Sequence, residues 1–284
     1  MRRLQDHLHD CSINTATLGF QAPIAEVIDA VARAGFGRIA PWRREIEGGD
    51  VNAVAKHIRD AGLSLSGYCR STYIPANSEA EFRANVEANK RALEDAAVLG
   101  APCFVMVVGG LPSGSKDLNA AREQVKEATA ELAAFSKPLG VKIALEPLHP
   151  VYAAERSCLT LLSEALDWCD EIEGAVAEPQ VGVAIDCYHV WWDPNLGVEI
   201  ARAGKAQRIL AFHVCDWLVP TEDVLNDRGM MGDGVIDVHA IRAAVEDAGY
   251  SGAVEVEIFS ARNWWKRQMD ETLKVCRERF VTAT

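Results

Sequence analysis

The sequence lacks any apolar run long enough to span a membrane, which takes about 20 consecutive apolar residues in a helix. It begins MRRLQDH, and no apolar stretch follows these two arginines, so no secretory signal is predicted. Basic residues are also scarce: 29 Lys and Arg face 41 Asp and Glu, giving a net charge of -12. Because nucleic acids are bound through clustered Lys and Arg, we expect a cytoplasmic protein with no nucleic-acid partner and no membrane contact.

Paired cysteine motifs and nucleotide-binding motifs are absent as well. The 8 cysteines are scattered, several of them inside apolar runs, and none forms a C-x-x-C pair. Such spacing predicts buried, reduced thiols and disfavours a disulfide framework or a zinc knuckle. No G-x-G-x-x-G follows the first apolar run, and no G-x-x-x-x-G-K-[ST] occurs anywhere in the chain.

What the chain does contain is a series of short apolar, β-branched runs that predict eight β-strands. These runs are Ser12 to Thr17, Gly37 to Ala40, Leu63 to Tyr68, Cys103 to Val108, Val141 to Leu145, Val181 to Ile185, Ile209 to Val214 and Ala253 to Ile258. The segments around them repeat apolar residues every three or four positions, as helices with one buried face do. These segments are residues 23–35, 51–60, 78–99, 118–136, 160–172, 198–203, 238–247 and 264–280.

Strict alternation of strands and helices predicts parallel strands joined by crossovers, and eight such units close into a (β/α)8 barrel, the TIM barrel. An α/β barrel of this kind typically takes about 250 residues as one domain. We therefore expect residues 1–284 to form a single TIM barrel domain. An open, doubly wound sheet is the alternative, and the missing nucleotide-binding motifs disfavour it.

Four consecutive predicted strands end in residues that can bind a metal ion. The fifth to eighth runs end at or near Glu146, Asp186, His213 and Glu257, and the active sites of such barrels lie at the C-terminal ends of the strands. Three carboxylates at one rim repel one another, and a divalent cation removes that repulsion. This donor set favours Mn2+, with Mg2+ or Co2+ as alternatives, so we predict one divalent metal ion held by these residues.

Each of these residues also has a structural interpretation. Glu146 or Asp186 alone is equally typical of a strand cap or an ion pair with arginine, and a lone histidine such as His213 is more often a core residue. Glu257 competes with Glu255, because side chains two residues apart in a strand point to the same face. We choose Glu257 because it lies nearer the end of its strand. Coincidence on four successive strands is the less economical explanation, which favours the metal site.

The loops after the fifth and seventh runs supply further candidates. His149 is a candidate catalytic acid or base, and a structural role for it is equally typical of a proline-bounded loop. Asp216 could orient a metal-binding histidine or form a loop turn. The glycine-rich residues 226–234 are predicted to form a mobile lid in preference to a phosphate cradle, which favours a non-phosphorylated polyol or ketose as substrate.

Aromatic residues near the predicted rim are candidates for the substrate pocket. Trp192 and Trp217 suit stacking on a sugar face, and they equally suit a subunit interface, which leaves a homo-oligomer open. Asn14, Trp42 and Arg70 lie near the ends of the first three runs and are candidate pocket walls.

One ordered set of motifs resembles a known superfamily. The set is Glu146, Asp186-Cys187-Tyr188-His189, His213-Val214-Cys215-Asp216, Arg228 and Glu257. It resembles the xylose-isomerase-like barrels over nearly the whole chain, and in particular the sugar phosphate isomerase/epimerase family, which includes the ketose 3-epimerases. The resemblance implies that Glu146, Asp186, His213 and Glu257 hold the metal and that His189 and Arg228 bind substrate oxygens. It also implies that the two glutamates act as base and acid on opposite faces of the reacting carbon.

These residues together predict a metal-dependent isomerase or epimerase that moves a proton next to the carbonyl of a ketose or oxidised sugar, through an enediolate. A lyase of the same superfamily is the alternative, either a dehydratase of inosose or dehydroshikimate, or a deglycosidase of oxidised C-glycosides. His149 keeps it open, because ketose 3-epimerases carry other residues after the fifth-strand glutamate. A third hypothesis is a non-enzymatic sugar-binding barrel, which the complete ligand set disfavours.

Overall fold

The computed structural model describes residues 1–284 and contains a parallel barrel with eight strand positions, here numbered β1 to β8. The strands are β1 Cys11–Asn14, β2 Arg38–Ala40, β3 in two pieces Ser64–Leu65 and Tyr68–Cys69, β4 Cys103–Met106, β5 Lys142–Leu145, β6 Val181–Asp186, β7 Ile209–Val214 and β8 Val254–Val256. The first piece of β3 pairs with β2 and the second with β4, so the broken strand brings the two ends of the sheet together. The predicted TIM barrel is therefore confirmed.

Eight helices surround the strands, and four of them begin behind a serine or aspartate whose side chain accepts a backbone N–H bond. The helices are α1 Ile24–Arg33, α2 Val51–Asp60, α3 Glu79–Leu99, α4 Leu118–Ser136, α5 Leu162–Glu173, α6 Leu196–Lys205, α7 Val238–Asp247 and α8 Met269–Thr282. Two single-turn helices, Arg43–Ile46 and Cys187–Val190, and several 3-10 turns complete the chain.

The observed boundaries lie within three residues of the predicted ones for every element except α8. Helices α2, α4 and α7 begin and end where their apolar periodicity predicts. Helix α6 is longer than the expected residues 198–203, since it runs from Leu196 to Lys205. Helix α8 begins at Met269, because Trp264–Lys266 forms a separate 3-10 turn and Arg267 is extended.

The core has two parts, one on each side of the strands. A large apolar cluster lies between the strands and the helices. Inside the barrel, a smaller cluster is made of short side chains, namely Cys69, Cys103, Val105, Ala144, Ala184 and Ala211. All 8 cysteines are buried and unpaired, as expected. No helix is both long and apolar enough to cross a bilayer.

Candidate metal centre

The four predicted ligands lie on adjacent strands and meet at one end of the barrel. Glu146 directly follows β5, Asp186 ends β6, His213 is the penultimate residue of β7, and Glu257 directly follows β8. All four are buried, and one ligand atom from each lies within 4.8 Å of those of the other three. The parallel order of β5 to β8 produces this convergence, because it places the C-terminal ends of the strands side by side.

Unsatisfied polar atoms occupy the centre of this group. Glu146 Oε1 and both ring nitrogens of His213 are buried without a hydrogen-bond partner. Glu146 Oε1 lies 3.3 Å from His213 Nδ1, and Glu257 Oε2 lies 3.9 Å from the same nitrogen. Leaving such atoms unpaired in the interior costs free energy, and each is a potential metal ligand. The residues therefore fit a divalent cation.

Burial and charge shift the proton equilibria of two ligands. Burial alone would lower the pKa of His213, but the carboxylates of Glu255, Glu146 and Glu257 raise that pKa well above its ordinary value. Burial raises the pKa of Glu257 to about 8, against the opposing effect of Arg228. Without a cation the group therefore retains protons that metal binding must release.

Glu255, the competitor of Glu257, lies deeper inside the barrel. Its Oε1 accepts a hydrogen bond from Asn14 Nδ2 at 2.8 Å, and its Oε2 accepts one from the Ser66 hydroxyl at 2.6 Å. Oε1 also lies 3.5 Å from His213 Nε2. Glu255 therefore stands behind the histidine, on the side away from Glu146. This geometry favours Glu257 as the ligand and gives Glu255 a supporting position.

Arg228 and His189, the predicted substrate-binding pair, contact the carboxylates of the site. Arg228 Nη1 donates to Asp186 Oδ2 at 3.0 Å and to Glu257 Oε2 at 3.2 Å. Its Nη2 lies 3.2 Å from His189 Nε2. The guanidinium is buried, and the nearby acids hold the pKa of Arg228 well above its usual range despite the opposing effect of burial. It is thus a permanent positive charge beside two of the ligands.

A narrow cavity opens beside these side chains. It is lined by Trp42, Cys69, Arg70, Val105, Val107, Glu146, Leu148, Arg156, His189, Arg228, Glu257 and Phe259. Glu146 and Glu257 thus face the cavity, whereas Asp186 and His213 are absent from its wall. The candidate walls Trp42 and Arg70 are among the lining residues, and Asn14 lies beneath, where it donates to Glu257 Oε1 at 3.0 Å.

Sequence reasoning missed Leu148, Arg156 and Phe259. None of them ends a predicted strand with a polar group, and Arg156 lies in an irregular loop well after β5. No periodic signal could have identified them, because loop side chains follow no repeat.

His149, Trp192 and Trp217 do not line this cavity. The backbone N–H of His149 donates to His189 Nδ1 at 3.2 Å, and its own Nδ1 accepts from the backbone N–H of Val151. The imidazole packs against Trp217 and Trp192, with ring centroids 5.0 Å and 5.7 Å away, and burial lowers its pKa. The structure places His149 and Trp192 next to His189, and Trp217 against His149 and Tyr188, all outside the cavity wall.

Of the two roles predicted for Asp216, the structure shows the loop turn, since the side chain makes no contact with His213. Its carboxylate accepts four backbone N–H bonds, from Trp217, Gly232, Gly234 and Ile236. Residues 226–234 are consequently packed, with Met230 and Met231 fully buried. The two methionines and the hydrogen bonds to Asp216 hold the middle of the segment against the barrel, whereas Gly232, Asp233 and Gly234 are exposed. That the segment acts as a mobile lid stays a prediction.

Comparison with known proteins agrees with this fold. A family model described as the xylose isomerase-like TIM barrel matches residues 28–279. The chain belongs to this family. One relative of this chain is an inosose isomerase from Halalkalibacterium halodurans. The two sequences are 29% identical over 223 residues, which are 72% of this chain and 73% of that protein.

Solved structures resemble the barrel over almost its entire length. Protein SMc04130 from Sinorhizobium meliloti 1021 is 49% identical, with a TM-score of 0.93 over 97% of this chain and 98% of that one. The IolI protein with a bound zinc atom is 18% identical, with a TM-score of 0.79 over 96% and 97% of the two chains. A D-psicose 3-epimerase, solved with D-fructose, is 19% identical, with a TM-score of 0.77 over 97% and 100%. The last two similarities show the fold alone.

Proposed function

We propose that this protein is a divalent-metal-dependent sugar isomerase or epimerase. The observation that carries the proposal is the position of Glu146 and Glu257, which follow β5 and β8 and face one cavity. Arg228 and His189 line the same cavity. The inosose isomerase relative and the D-psicose 3-epimerase neighbour support this class of reaction. A small sugar or polyol is accordingly the proposed substrate.

Glu146, Asp186, His213 and Glu257 would hold the metal, and Mn2+ is the proposed ion; the zinc atom bound to IolI makes Zn2+ its first competitor. When bound, the ion polarises a neighbouring carbonyl and makes the adjacent C–H more acidic. Glu146 and Glu257, at the cavity surface, are the groups able to take a proton from that carbon and return one. Arg228 and His189 would hold the substrate oxygens, where their N–H groups stabilise developing negative charge.

The lyase alternative is less well supported. Expulsion of a substituent needs an acid beside the leaving group, and His149 is its candidate. The imidazole of His149 packs between tryptophans and does not line the cavity. Proton transfer by two glutamates needs no such third group.

That residues 1–284 act as one domain, and that the chain forms a homo-oligomer, stay predictions.

Solvent deuterium distinguishes the candidate reactions. Mn2+-loaded protein incubated with inosose, D-fructose or D-allulose in D2O should place deuterium on the carbon next to the carbonyl, in a sugar of otherwise unchanged formula. Loss of water or of an aglycone would support the lyase. Full turnover by chelator-treated protein would refute metal dependence.

Glu257→Gln tests the acid and base assignment. The amide keeps the shape of the side chain but cannot exchange a proton, so we expect at least about a 100-fold loss of deuterium incorporation. Glu178→Gln, on the exposed surface, is the matched control and should behave as wild type. Equal rates in Glu257→Gln and in the control would remove Glu257 from the reaction.

A further inference from the structure

Two arginines in the cavity wall have no anionic partner. Arg70 and Arg156 line the same cavity as Glu146 and Glu257, and neither forms an ion pair with any carboxylate of the protein. Arg228, in the same wall, differs because it pairs with both Asp186 and Glu257. The cavity wall therefore carries one neutralised guanidinium, Arg228, and two that are not compensated by any carboxylate.

The surroundings of Arg70 and Arg156 leave their charges largely unsatisfied. Arg156 Nε is buried without a hydrogen-bond partner, and Arg70 has only a long bond, at 3.4 Å, to the carbonyl of Ser71. Each guanidinium instead lies against an aromatic ring, Arg70 against Tyr73 and Arg156 against Tyr152. Two half-buried like charges cost free energy unless an anion joins them, and both of these guanidinium groups line the same cavity.

The backbone that carries Arg156 is fixed in place. The N–H of Gly109 donates to the carbonyl of Arg156 at 3.0 Å, and the N–H of Leu111 donates to that of Ala154 at 2.8 Å. The contact is so close that a Cβ on Gly110 would lie 2.3 Å from the Ala154 carbonyl oxygen. A side chain on a locked loop is preorganised, which lowers the entropic cost of binding a ligand.

The approach to the cavity is also rich in arginine, against the charge of the whole chain. A wider groove beside the cavity is lined by Arg70 together with Arg43 and Arg44. Glu47 and Glu81 also line it, and Glu47 pairs with Arg43, so three arginines face two glutamates and the lining carries an excess of one positive charge. In a protein with a net charge of -12, this local excess of positive charge draws anions toward one opening.

We propose that the substrate carries an anionic group, a carboxylate or a phosphate ester, which Arg70 and Arg156 bind while the reacting carbon lies between Glu146 and Glu257. The inference rests on the proposed function, since it assigns the far end of the same substrate. Guanidinium groups match carboxylate and phosphate oxygens with paired N–H donors. The substrate class is then a sugar acid or a sugar phosphate, and a neutral ketose should exchange deuterium as well, but more slowly than the preferred anion.

Three ketoses that differ only at C6 test this inference: D-fructose, D-fructuronate and D-fructose 6-phosphate. Affinity for Mn2+-loaded protein is measured by calorimetry, and deuterium exchange in D2O is measured separately. We expect one of the two anions to bind roughly 10- to 100-fold more tightly than D-fructose, as charge-assisted hydrogen bonds do. The preferred anion identifies the group as a carboxylate or a phosphate.

Arginine variants locate the anion. Arg156→Gln and Arg70→Gln should each remove most of that preference by weakening anion binding far more than D-fructose binding, whereas Arg156→Lys should restore part of it. Arg59→Gln, an exposed arginine without an ion pair, is the control. Equal affinity for the three ketoses, or an anion preference that survives both glutamine variants, would overturn the inference.

The two proposals fail separately in this design. If D-fructose exchanged deuterium as fast as D-fructuronate and D-fructose 6-phosphate do, the isomerase proposal would stand and the anion site would be overturned. Tight binding of an anion that depends on Arg70 and Arg156, without exchange on any of the three ketoses, would support the anion site and count against the isomerase.

Discussion

Glu255 illustrates how one buried carboxylate can support a proposed metal ligand without belonging to the proposed ligand set. It accepts hydrogen bonds from Asn14 and Ser66 and faces Nε2 of His213. That leaves Nδ1 of His213 toward Glu146 and Glu257. A carboxylate behind a ligating histidine holds the ring and makes it a stronger donor, a common arrangement in metal sites.

The variant Glu255→Gln tests this position. The amide keeps the shape of the side chain but removes the charge and one of the two acceptor oxygens, so we expect metal affinity to fall about 10- to 100-fold, with turnover largely recovered at saturating Mn2+. Metal titration followed by activity is the measurement. Ser66→Ala, which removes one partner of Glu255 but keeps its charge, is the matched control and should weaken metal binding less. Unchanged affinity in Glu255→Gln would show that the histidine needs no support.

At the scale of elements, the segment after β7 decides where Arg228 lies. Arg228–Gly229 pairs in antiparallel fashion with Asp216–Trp217, and the carboxylate of Asp216 gathers the backbone of Gly232, Gly234 and Ile236. The position of the arginine in the site is therefore set by a network centred on an aspartate outside it.

Removing the Asp216 carboxylate should disturb both stability and the site. Asp216→Ala leaves one buried and three part-buried N–H groups without this partner, and we expect a loss of about 3 kcal/mol in the free energy of unfolding. Substrate KM should rise as well, because Arg228 loses its backbone support. Urea unfolding and steady-state kinetics measure the two effects.

Two glycine variants give this prediction a steric test. A Cβ on Gly234 would lie 2.1 Å from the Trp217 carbonyl oxygen and 2.6 Å from Asp216 Oδ1, so Gly234→Ala should mimic the loss of Asp216. Gly197, in helix α6, has open space around its Cβ position, and Gly197→Ala should be neutral or stabilising by up to about 1 kcal/mol. Equal stability of the two glycine variants would contradict the network.

At the scale of the whole molecule, metal and proton binding are linked to the stability of the barrel. The pKa of His213 is raised well above its ordinary value, and that of Glu257 is raised to about 8. A raised folded-state pKa stabilises the protein below the unfolded-state pKa, and this stabilisation is lost as pH rises through the folded value. Between about pH 6.5 and 8 the metal-free folded protein thus binds more protons at these groups than the unfolded chain.

The metal-free protein should therefore lose free energy of unfolding as the pH rises through this window. Mn2+ at 100 to 1,000 times its Kd should add about 3 to 4 kcal/mol, and more at the alkaline end, because the ligands bind the metal in their deprotonated forms. Urea unfolding at several pH values, with and without Mn2+, measures both. Metal-free Glu257→Gln should show a shallower pH dependence, and a dependence equal to wild type would separate Glu257 from the linkage.

The sequence by itself determined the barrel and the four rim residues. Alternating strands and helices leave few ways to bury two faces of every strand, and parallel strands bring their C-terminal ends to one rim. Glu146, Asp186, His213 and Glu257 could therefore be predicted as neighbours, and the structure brings them together. Their roles as ligands and as acid or base stay predictions.

Only the tertiary structure decided what surrounds these four residues. A strand repeat of two cannot separate Glu255 from Glu257, whereas depth in the barrel places Glu255 behind His213 and leaves Glu257 at the cavity. Arg156 lies in an irregular loop, so its place beside Arg70 depends on contacts between distant segments that no local pattern encodes. The periodicity of a sequence predicts which face of a strand or helix a residue lies on. The packing of the loops decides which residues contact one another at the site.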